Sequence, residues 1–276
     1  MKPAAFDYVR ADSLAEVCDL LAKHGEDARI LAGGQSLMAV LNMRLAQPRL
    51  LIDISRSAEL ARVDVTEQHL RVNAAATQSC VEWRPQLAQQ LPLLAMAFPH
   101  ISHFQIRNRG TFCGSIAHAD PSAELPLCLL ALQGQVLLRS SRKKRLLAAD
   151  DFFKGMLSTA RAADELLESV RLPLAKPGQT FGFAEYSRRH GDFAVCAVAV
   201  VADAGSLRVA VGGVADRPVA RDFPLLEGAA LDDALNEFAW ALDARSDPHI
   251  SATTRRHLVR RLGSRAVAQA LQQRAS

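Results

Sequence analysis

No stretch of this 276-residue sequence reaches the roughly 18 consecutive apolar residues that a bilayer-spanning helix needs. The opening, MKPAAFDYVRADS, carries a lysine but no apolar core followed by a small-residue cleavage site, so no secretory signal is expected and the chain is placed in the cytoplasm. Cys18, Cys80, Cys113, Cys128 and Cys196 form no C-x-x-C pair, which excludes a zinc ribbon or a ferredoxin-type iron–sulfur site. Neither sign of charge dominates. The formal balance of +4 is weak and dispersed, and nucleic acid is not an expected partner. Internal repeats, long low-complexity runs and a Ser-His-Asp or Cys-His nucleophile system are all missing. The glycine-containing segments fit neither G-x-G-x-x-G nor G-x-x-x-x-G-K-[ST], which disfavours a Rossmann or P-loop nucleotide site.

What is present is an ordinary globular composition, with 49% hydrophobic and 22% charged residues, enough for one large domain or two smaller ones. Two helical stretches open the chain. DSLAEVCDLLAKHG has a cap-like Asp12-Ser13, apolar residues at helical spacing and a stop at Gly25. SLMAVLNMRLA has Ser36 in the cap position and an apolar stripe through Leu37, Val40, Leu41 and Leu45. ARILAGG and RLLIDIS read as short buried strands around it. Further on come the strand HLRVNAAA, a helix containing Leu91 and Leu94, the small-residue loop RNRGTFCGSIAHADPSAELP, and strands QVLLRS and ELLESVRLP. PLAKPG reads as a linker; FAVCAVAVVAD and SLRVAVGGVA as sheet strands, and the C-terminal stretch as helical. The division expected is residues 1–174 and 175–276.

The glycine pair Gly33-Gly34, after a strand and before a helix, lets backbone approach a ligand closely, with free N–H groups pointing at it and Gln35 and Ser36 adding side-chain donors. That is an uncharged cradle for an anion. A second segment, GTFCGSIA, offers Gly110, Thr111, Gly114 and Ser115 in the same way, and two such bends could clamp a diphosphate from both sides. A tight structural turn with a serine cap is the competing account of the first bend.

Four motifs in order carry a resemblance: AGGQSL (32–37), IRNRGTFCGSIAHADPSAELP (106–126), SRRHGDFA (187–194) and VGGVADRPV (211–219). Together they resemble the FAD-binding medium subunit of the molybdenum hydroxylases, the xanthine dehydrogenase and carbon monoxide dehydrogenase family, over nearly the whole chain. The resemblance implies an α+β protein: a two-part FAD-binding domain of the vanillyl-alcohol-oxidase (PCMH) type, with subdomains of about 1–56 and 57–174, followed by a smaller α/β domain. It implies FAD contacts at Ile30, Leu31, Ala32, Gly33, Gly34, Gln35, Ser36 and Leu37, and at Thr111, Phe112, Cys113, Gly114 and Ser115. Glu124 falls where an acidic residue takes the adenosine ribose; a water-facing helix-start glutamate is its plainer reading. Ile101 and Leu167 match apolar positions against the cofactor rings and could equally be core. Phe193 matches an aromatic near the isoalloxazine, with a buried strand phenylalanine as the alternative.

Two departures from the family pattern stand out. Cys113 replaces one glycine of a pair, and Ala184-Glu185 stands where some relatives have a lysine. The implied function is electron transfer through FAD to an external acceptor. A [2Fe-2S] small subunit and a molybdopterin large subunit complete a heterotrimer able to dimerise. The alternatives are a stand-alone flavin oxidase or reductase of the same fold, or a non-enzymatic assembly protein that has lost FAD. His118, Asp120 and Glu124 lack a further ligand at metal spacing, so no metal is expected. RSSRKKR (139–145) reads as a solvated loop without interleaved aromatics. The C-terminal stripe Leu258, Val259, Leu262, Val267, Ala270 and Leu271 reads as a docked surface helix. His100 and His103 receive no role.

Overall fold

The computed structural model describes residues 2–274, in three main sheets with helices between and around them. The first unit comprises β1 (Asp7–Arg10), α1 (Leu14–His24), β2 (Ala28–Leu31), α2 (Leu37–Asn42) and β3 (Leu50–Asp53). Its sheet is parallel, in the order β1-β3-β2. Helix α1 forms as its pattern predicts: the Ser13 side chain accepts from the Glu16 amide, Val17 and Leu21 are buried, and Gly25 ends the helix at φ +50°. Those side chains pack with Leu50, Ile52 and Leu60 in a small core of their own.

Two features of this unit depart from the sequence expectation. The chain opens on a strand, β1, whose DYVR carries no alternation; it is held by pairing residue for residue with β3, from Asp7 opposite Leu50 to Arg10 opposite Asp53. Helix α2 stops at Asn42, because Arg44 takes a left-handed φ of 57° and turns the chain. Of its apolar stripe only Leu41 is buried, while Leu45 lies past the helix and is 73% exposed. Ser36 has helical backbone and makes no side-chain cap.

The middle unit runs through β4 (Val63–Val65), β5 (His69–Asn73), α3 (Gln78–Glu82), α4 (Leu87–Gln90), α5 (Pro92–Ala97), α6 (Phe104–Arg107), α7 (Phe112–His118) and α8 (Glu124–Ala131). It continues through β6 (Gln135–Arg139), β7 (Lys144–Ala148), α9 (Ala149–Phe152), β8 (Phe153–Gly155), β9 (Ser158–Thr159) and β10 (Leu166–Pro173). The antiparallel sheet has the order β4-β5-β10-β6-β7, so the last strand to be made lies at the centre. Leu91, expected inside one helix, separates two: its φ of −141° breaks the ladder and Pro92, which has no N–H to lose, begins the next. The segment 107–126, expected as a loop, is largely helical. Every residue of α8 is buried, as an all-round apolar helix requires. The basic run 139–145 is a β6–β7 hairpin turn, and Arg145, partly exposed, makes a paired contact with the buried Glu165 at 2.6 and 2.8 Å.

The third unit is the antiparallel sheet β11 (Thr180–Tyr186), β12 (Cys196–Ala202), β13 (Ser206–Gly212) and β14 (Val219–Pro224), with α10 (Gly228–Ala241) and α11 (Ala252–Gln272). One face packs on α10 and α11; on α11, Val259, Leu262, Val267 and Ala270 are buried and Leu258 and Leu271 lie at the edge of the same cluster, so the stripe docks as its pattern predicts. The other face shares the core of the middle unit. Covered on both sides, β12 reads as the uninterrupted apolar run CAVAVVA. The joining segment 174–179 is tied down by hydrogen bonds from the amides of Leu174 to Gln68 and of Ala175 to Gln90.

Candidate functional site

The bend after β2 and the bend before α7 come together. An added Cβ on Gly33 would stand 2.2 Å from the Arg109 carbonyl oxygen and 2.6 Å from the Gly110 Cα. The second bend is itself fixed by a bridge: the Gln78 amide donates to the Gly110 carbonyl at 2.8 Å and the Phe112 amide to that of Ala76 at 3.0 Å. The loop after β5 thereby sets where the second bend sits, and the second bend sets where Gly33 sits. Glycine at 33 is thus required by the packing of loop against loop. Gly34, at φ +71°, provides the left-handed step into α2.

The amides of Gly33, Gly34, Gln35 and Ser36 donate to no protein carbonyl among the described residues, and Gln35 Nε2 donates to the Gly33 carbonyl at 3.0 Å. The second bend differs from the sequence expectation of open amides. Thr111 caps α7, its hydroxyl accepting from the Gly114 amide at 3.0 Å, and the Ser115 amide donates to the Thr111 carbonyl. Gly114 is glycine for the same reason: a Cβ there would be 2.5 Å from that hydroxyl. Both short helices, six and seven residues, offer only a weak dipole.

Two adjoining cavities open at the junction, of about 710 and 380 Å³, sharing Ala32, Asp53, Ser55 and Arg109. They lie within the roughly 300–1,000 Å³ of small-molecule sites. The smaller is lined by Leu31 to Gln35 and Met38; the larger reaches Thr77, Asn108 and Thr111, and also Tyr8, Arg10 and Arg56. The cradle is therefore not uncharged. Arg10, Arg56 and Arg109 put cations around it, and guanidinium is suited to two phosphate oxygens at once. The Tyr8 hydroxyl donates to Asp53 at 2.5 Å. Burial works against ionised Asp53, but the hydrogen bonds from Tyr8 and Ser55 outweigh it and hold its pKa below the ordinary value. A carboxylate that stays ionised beside arginines leaves it able to accept from sugar hydroxyls or amines. Sequence reading missed Tyr8, Arg10, Asp53, Arg56 and Arg109; only the RNRG preceding the second bend hinted at a cation there.

The remaining expected residues fall elsewhere. Phe112 and Cys113 point into the core, where the Cys113 thiol donates to the Val72 carbonyl at 3.3 Å and burial pushes its pKa far up; it is a packing thiol, not a reactive one. Ile30 and Leu37 are half-buried neighbours of the first bend, while Ile101 and Leu167 are core residues. Phe193 is 70% exposed in the loop before β12, which rules out the buried-strand alternative. Glu124 lines neither cavity and does not face water. Its residue is 7% exposed, and burial, with a smaller push from Asp120, raises its pKa to about 7. No group of three His, Cys, Asp or Glu side chains is placed to hold a metal among the described residues.

Amide-lined bends, three arginines and a two-part cavity make a pocket chemically suited to an anion, in a chain of helices and sheets without the Rossmann glycine fingerprint. The solved structures sharing this fold include quinoline 2-oxidoreductase from Pseudomonas putida 86 (TM-score 0.91, 33% identity, 100% of both chains covered). Another is a carbon monoxide dehydrogenase from Hydrogenophaga pseudoflava (TM-score 0.92, 29% identity, 99% of both chains covered). In sequence, the chain is 40% identical to the nicotine 6-hydroxylase medium subunit of Paenarthrobacter nicotinovorans, covering 98% of this chain and 99% of that one. It is 34% identical to the caffeine dehydrogenase subunit beta of Pseudomonas sp. strain CBB1, covering 98% and 96%. The profile described as FAD binding domain in molybdopterin dehydrogenase matches residues 4–175. The chain belongs to that family: it is an FAD-binding oxidoreductase subunit.

Proposed function

We propose that this chain is the FAD-carrying medium subunit of a molybdenum hydroxylase. It receives electrons from the [2Fe-2S] clusters of a small partner subunit and passes them to an external acceptor, while a large molybdopterin subunit hydroxylates the substrate. The observation that carries this is end-to-end similarity to a chain named as a medium subunit, with 98% and 99% of the two sequences aligned. The relatives are named for chemically unlike substrates, nicotine, caffeine and carbon monoxide. A chain this similar across all of them does not select the substrate; that selection belongs to the partner.

The donor set fits the cofactor. The free amides at Gly33 to Ser36 and the Arg109 guanidinium would hold a diphosphate, Asp53 would accept from a hydroxyl, and the bound flavin would supply two-electron to one-electron exchange. The other expected contacts, from Ile30 and Leu37 to Thr111, Phe112, Cys113, Gly114, Ser115, Glu124, Ile101, Leu167 and Phe193, are part of the same proposal. Among them Thr111 has direct support, because it lines the larger cavity. The PCMH-type description, with its division at 174/175, is supported by the end of the family match at residue 175 and by the linker that follows. A heterotrimer in the reducing cytoplasm agrees with five cysteines that are all free.

Purifying the native complex tests the reading. Equimolar FAD on this chain, with co-purifying iron–sulfur and molybdopterin chains, is the expected result. A colourless chain that cannot be reconstituted with FAD would overturn it.

A further inference from the structure

Strand β11 alternates strictly. Phe181 and Phe183 belong to the core shared with the middle unit and Ala184 to the core under α10 and α11, so the period of two turns Glu185 toward the middle unit. It lies in the seam between the two units. There its side chain is 1% exposed, and neither carboxyl oxygen has a hydrogen-bond partner among the described residues. Glu124, the first residue of α8 and itself buried, adds a second acid from the middle unit, close enough to disfavour a charge on Glu185. The outer edge of the seam is the turn 98–102. On it the His100 ring packs on Phe183 with 5.1 Å between centroids, and its Nδ1 lies 3.8 Å from Glu185 Oε1. Ser102 backs the loop that follows β11: a Cβ on Gly191 would stand 3.1 Å from the Ser102 carbonyl oxygen.

A seam closed over two unpartnered acids favours them uncharged. A carboxylate at Glu185 would be cut off from water with no donor in its place, whereas the protonated acid has no charge to desolvate. Opening the seam returns water to the carboxylate. We propose that Glu185 and Glu124 make this seam a proton-gated joint: the middle unit and the β11–β14 sheet stay closed on each other while the two acids keep their protons, and the His100 edge loosens as the protons pass to solvent. The step is a plain ionisation, in which each O–H bond breaks, the electron pair stays on the carboxylate and water takes the proton. Because β11 runs directly into residues 187–194, loosening this edge also frees the SRRHGDFA segment from its seat on Ser102.

The groups facing the pair leave it to set the pH response. Burial first, and then Glu124, push Glu185 up to about 8, while burial, with a smaller push from Asp120, brings Glu124 to about 7. Burial, then His190 of the loop and Arg265 of α11, lowers His100, so above about pH 6.5 the histidine is neutral with the seam closed or open. Cys128 on α8 and Cys196 on β12 are thiols pushed up by burial and carry no charge; Arg255 of α11 bears on Cys196. Helix α5, PLLAMA, packs on β11 and has nothing to titrate. In the open seam both acids return to the ordinary carboxyl range, so the closed form binds the extra protons and is favoured at low pH. Its advantage shrinks from that range up to about 8, at most about tenfold per pH unit for Glu185, and levels off above.

Hydrogen–deuterium exchange of the full chain, read by mass spectrometry and corrected for the intrinsic rate at each pH, tests the joint. In the wild type, protection of residues 92–104, which cover α5 and the turn, is expected to fall about tenfold or more between pH 7 and 9, most of it before pH 8. Glu185→Gln keeps the shape but cannot titrate, and is expected to cut the fall to about twofold, the share left to Glu124. Glu124→Gln, the independent variant, removes the neighbour's push on Glu185, so its fall is expected to level off below pH 8. Low concentrations of urea are expected to change the exchange of 92–104 little, as befits a local opening. Wild-type protection that holds from pH 7 to 9, or a fall of the same size in Glu185→Gln, would overturn the inference. So would a fall that follows urea with the slope of whole-chain unfolding, because the acids would then act on the entire fold and not on this seam.

Discussion

Gly33→Ala is the substitution that separates loop packing from ligand contact. The new Cβ would stand 2.2 Å from one backbone atom of the second bend and 2.6 Å from another, more than an ångström inside ordinary contact. Neither atom belongs to a side chain that can swing away, and the second bend is pinned by its bridge to Ala76 and Gln78. Overpacking of this kind costs about 1–3 kcal/mol, and the upper end applies where both partners are backbone. For a chain of this size that is a fall in Tm of about 6–12 °C, taking roughly 2–4 °C per kcal/mol. If the strain is relieved instead by parting the bends, the diphosphate grip weakens by a similar energy, about 100-fold in Kd. Differential scanning fluorimetry and flavin absorbance after desalting read the two outcomes. Gly205→Ala is the matched control, because a Cβ there meets nothing within 4 Å; it is expected to stay within about 0.5 kcal/mol of wild type. A Gly33→Ala protein with unaltered Tm and full flavin would refute the reasoning.

Thiol labelling of the native protein is expected to modify Cys80 alone, since the other four cysteines are buried, and mass spectrometry would show any second adduct. Arg145→Ala is expected to cost about 3 kcal/mol by leaving the Glu165 carboxylate buried and short of its main partner, with Lys143 still 3.9 Å away. Although burial acts to raise Glu165, Arg145 and the Ala162 amide depress its pKa, so this stabilisation is present at neutral pH and is lost as pH falls through that depressed value. Urea titrations should therefore show the wild-type advantage shrinking on acidification, and an advantage that grows would contradict the assignment. Glu185 has the opposite sign. Its pKa in the folded chain, about 8, lies above the ordinary carboxyl value, so its contribution is complete at low pH and is lost as pH rises through about 8. Glu185→Gln mimics the protonated acid, and its Tm is expected to match wild type near pH 5 and exceed it at pH 9; equal Tm values at both would count against a buried acid.

Local pattern carried a long way in this chain. The capped helix α1, the docked α11, the strands β2, β3, β5, β6, β10, β12 and β13 and the linker after Pro173 are each written in spacing, caps and glycines that act within a few residues. The two glycine bends were legible for the same reason. What the pattern misjudged depended on neighbours distant in sequence. Strand β1 exists because β3 offers it an edge. The apolar stripe after Ser36 does not extend α2, since a left-handed Arg44 redirects the chain and leaves Leu45 in water.

The sequence by itself determined the local elements, the glycine bends and, through four ordered motifs, the family. The tertiary structure decided why Gly33 must be glycine, because its obstacle comes from residues 109 and 110, far along the chain. It also decided that the site is ringed by arginines from separate segments, and that Glu185 is an unpartnered acid beside Glu124 and His100. Conformational preference is settled by the nearest residues, whereas desolvation, charge and close contact are settled by whatever the fold brings within a few ångströms.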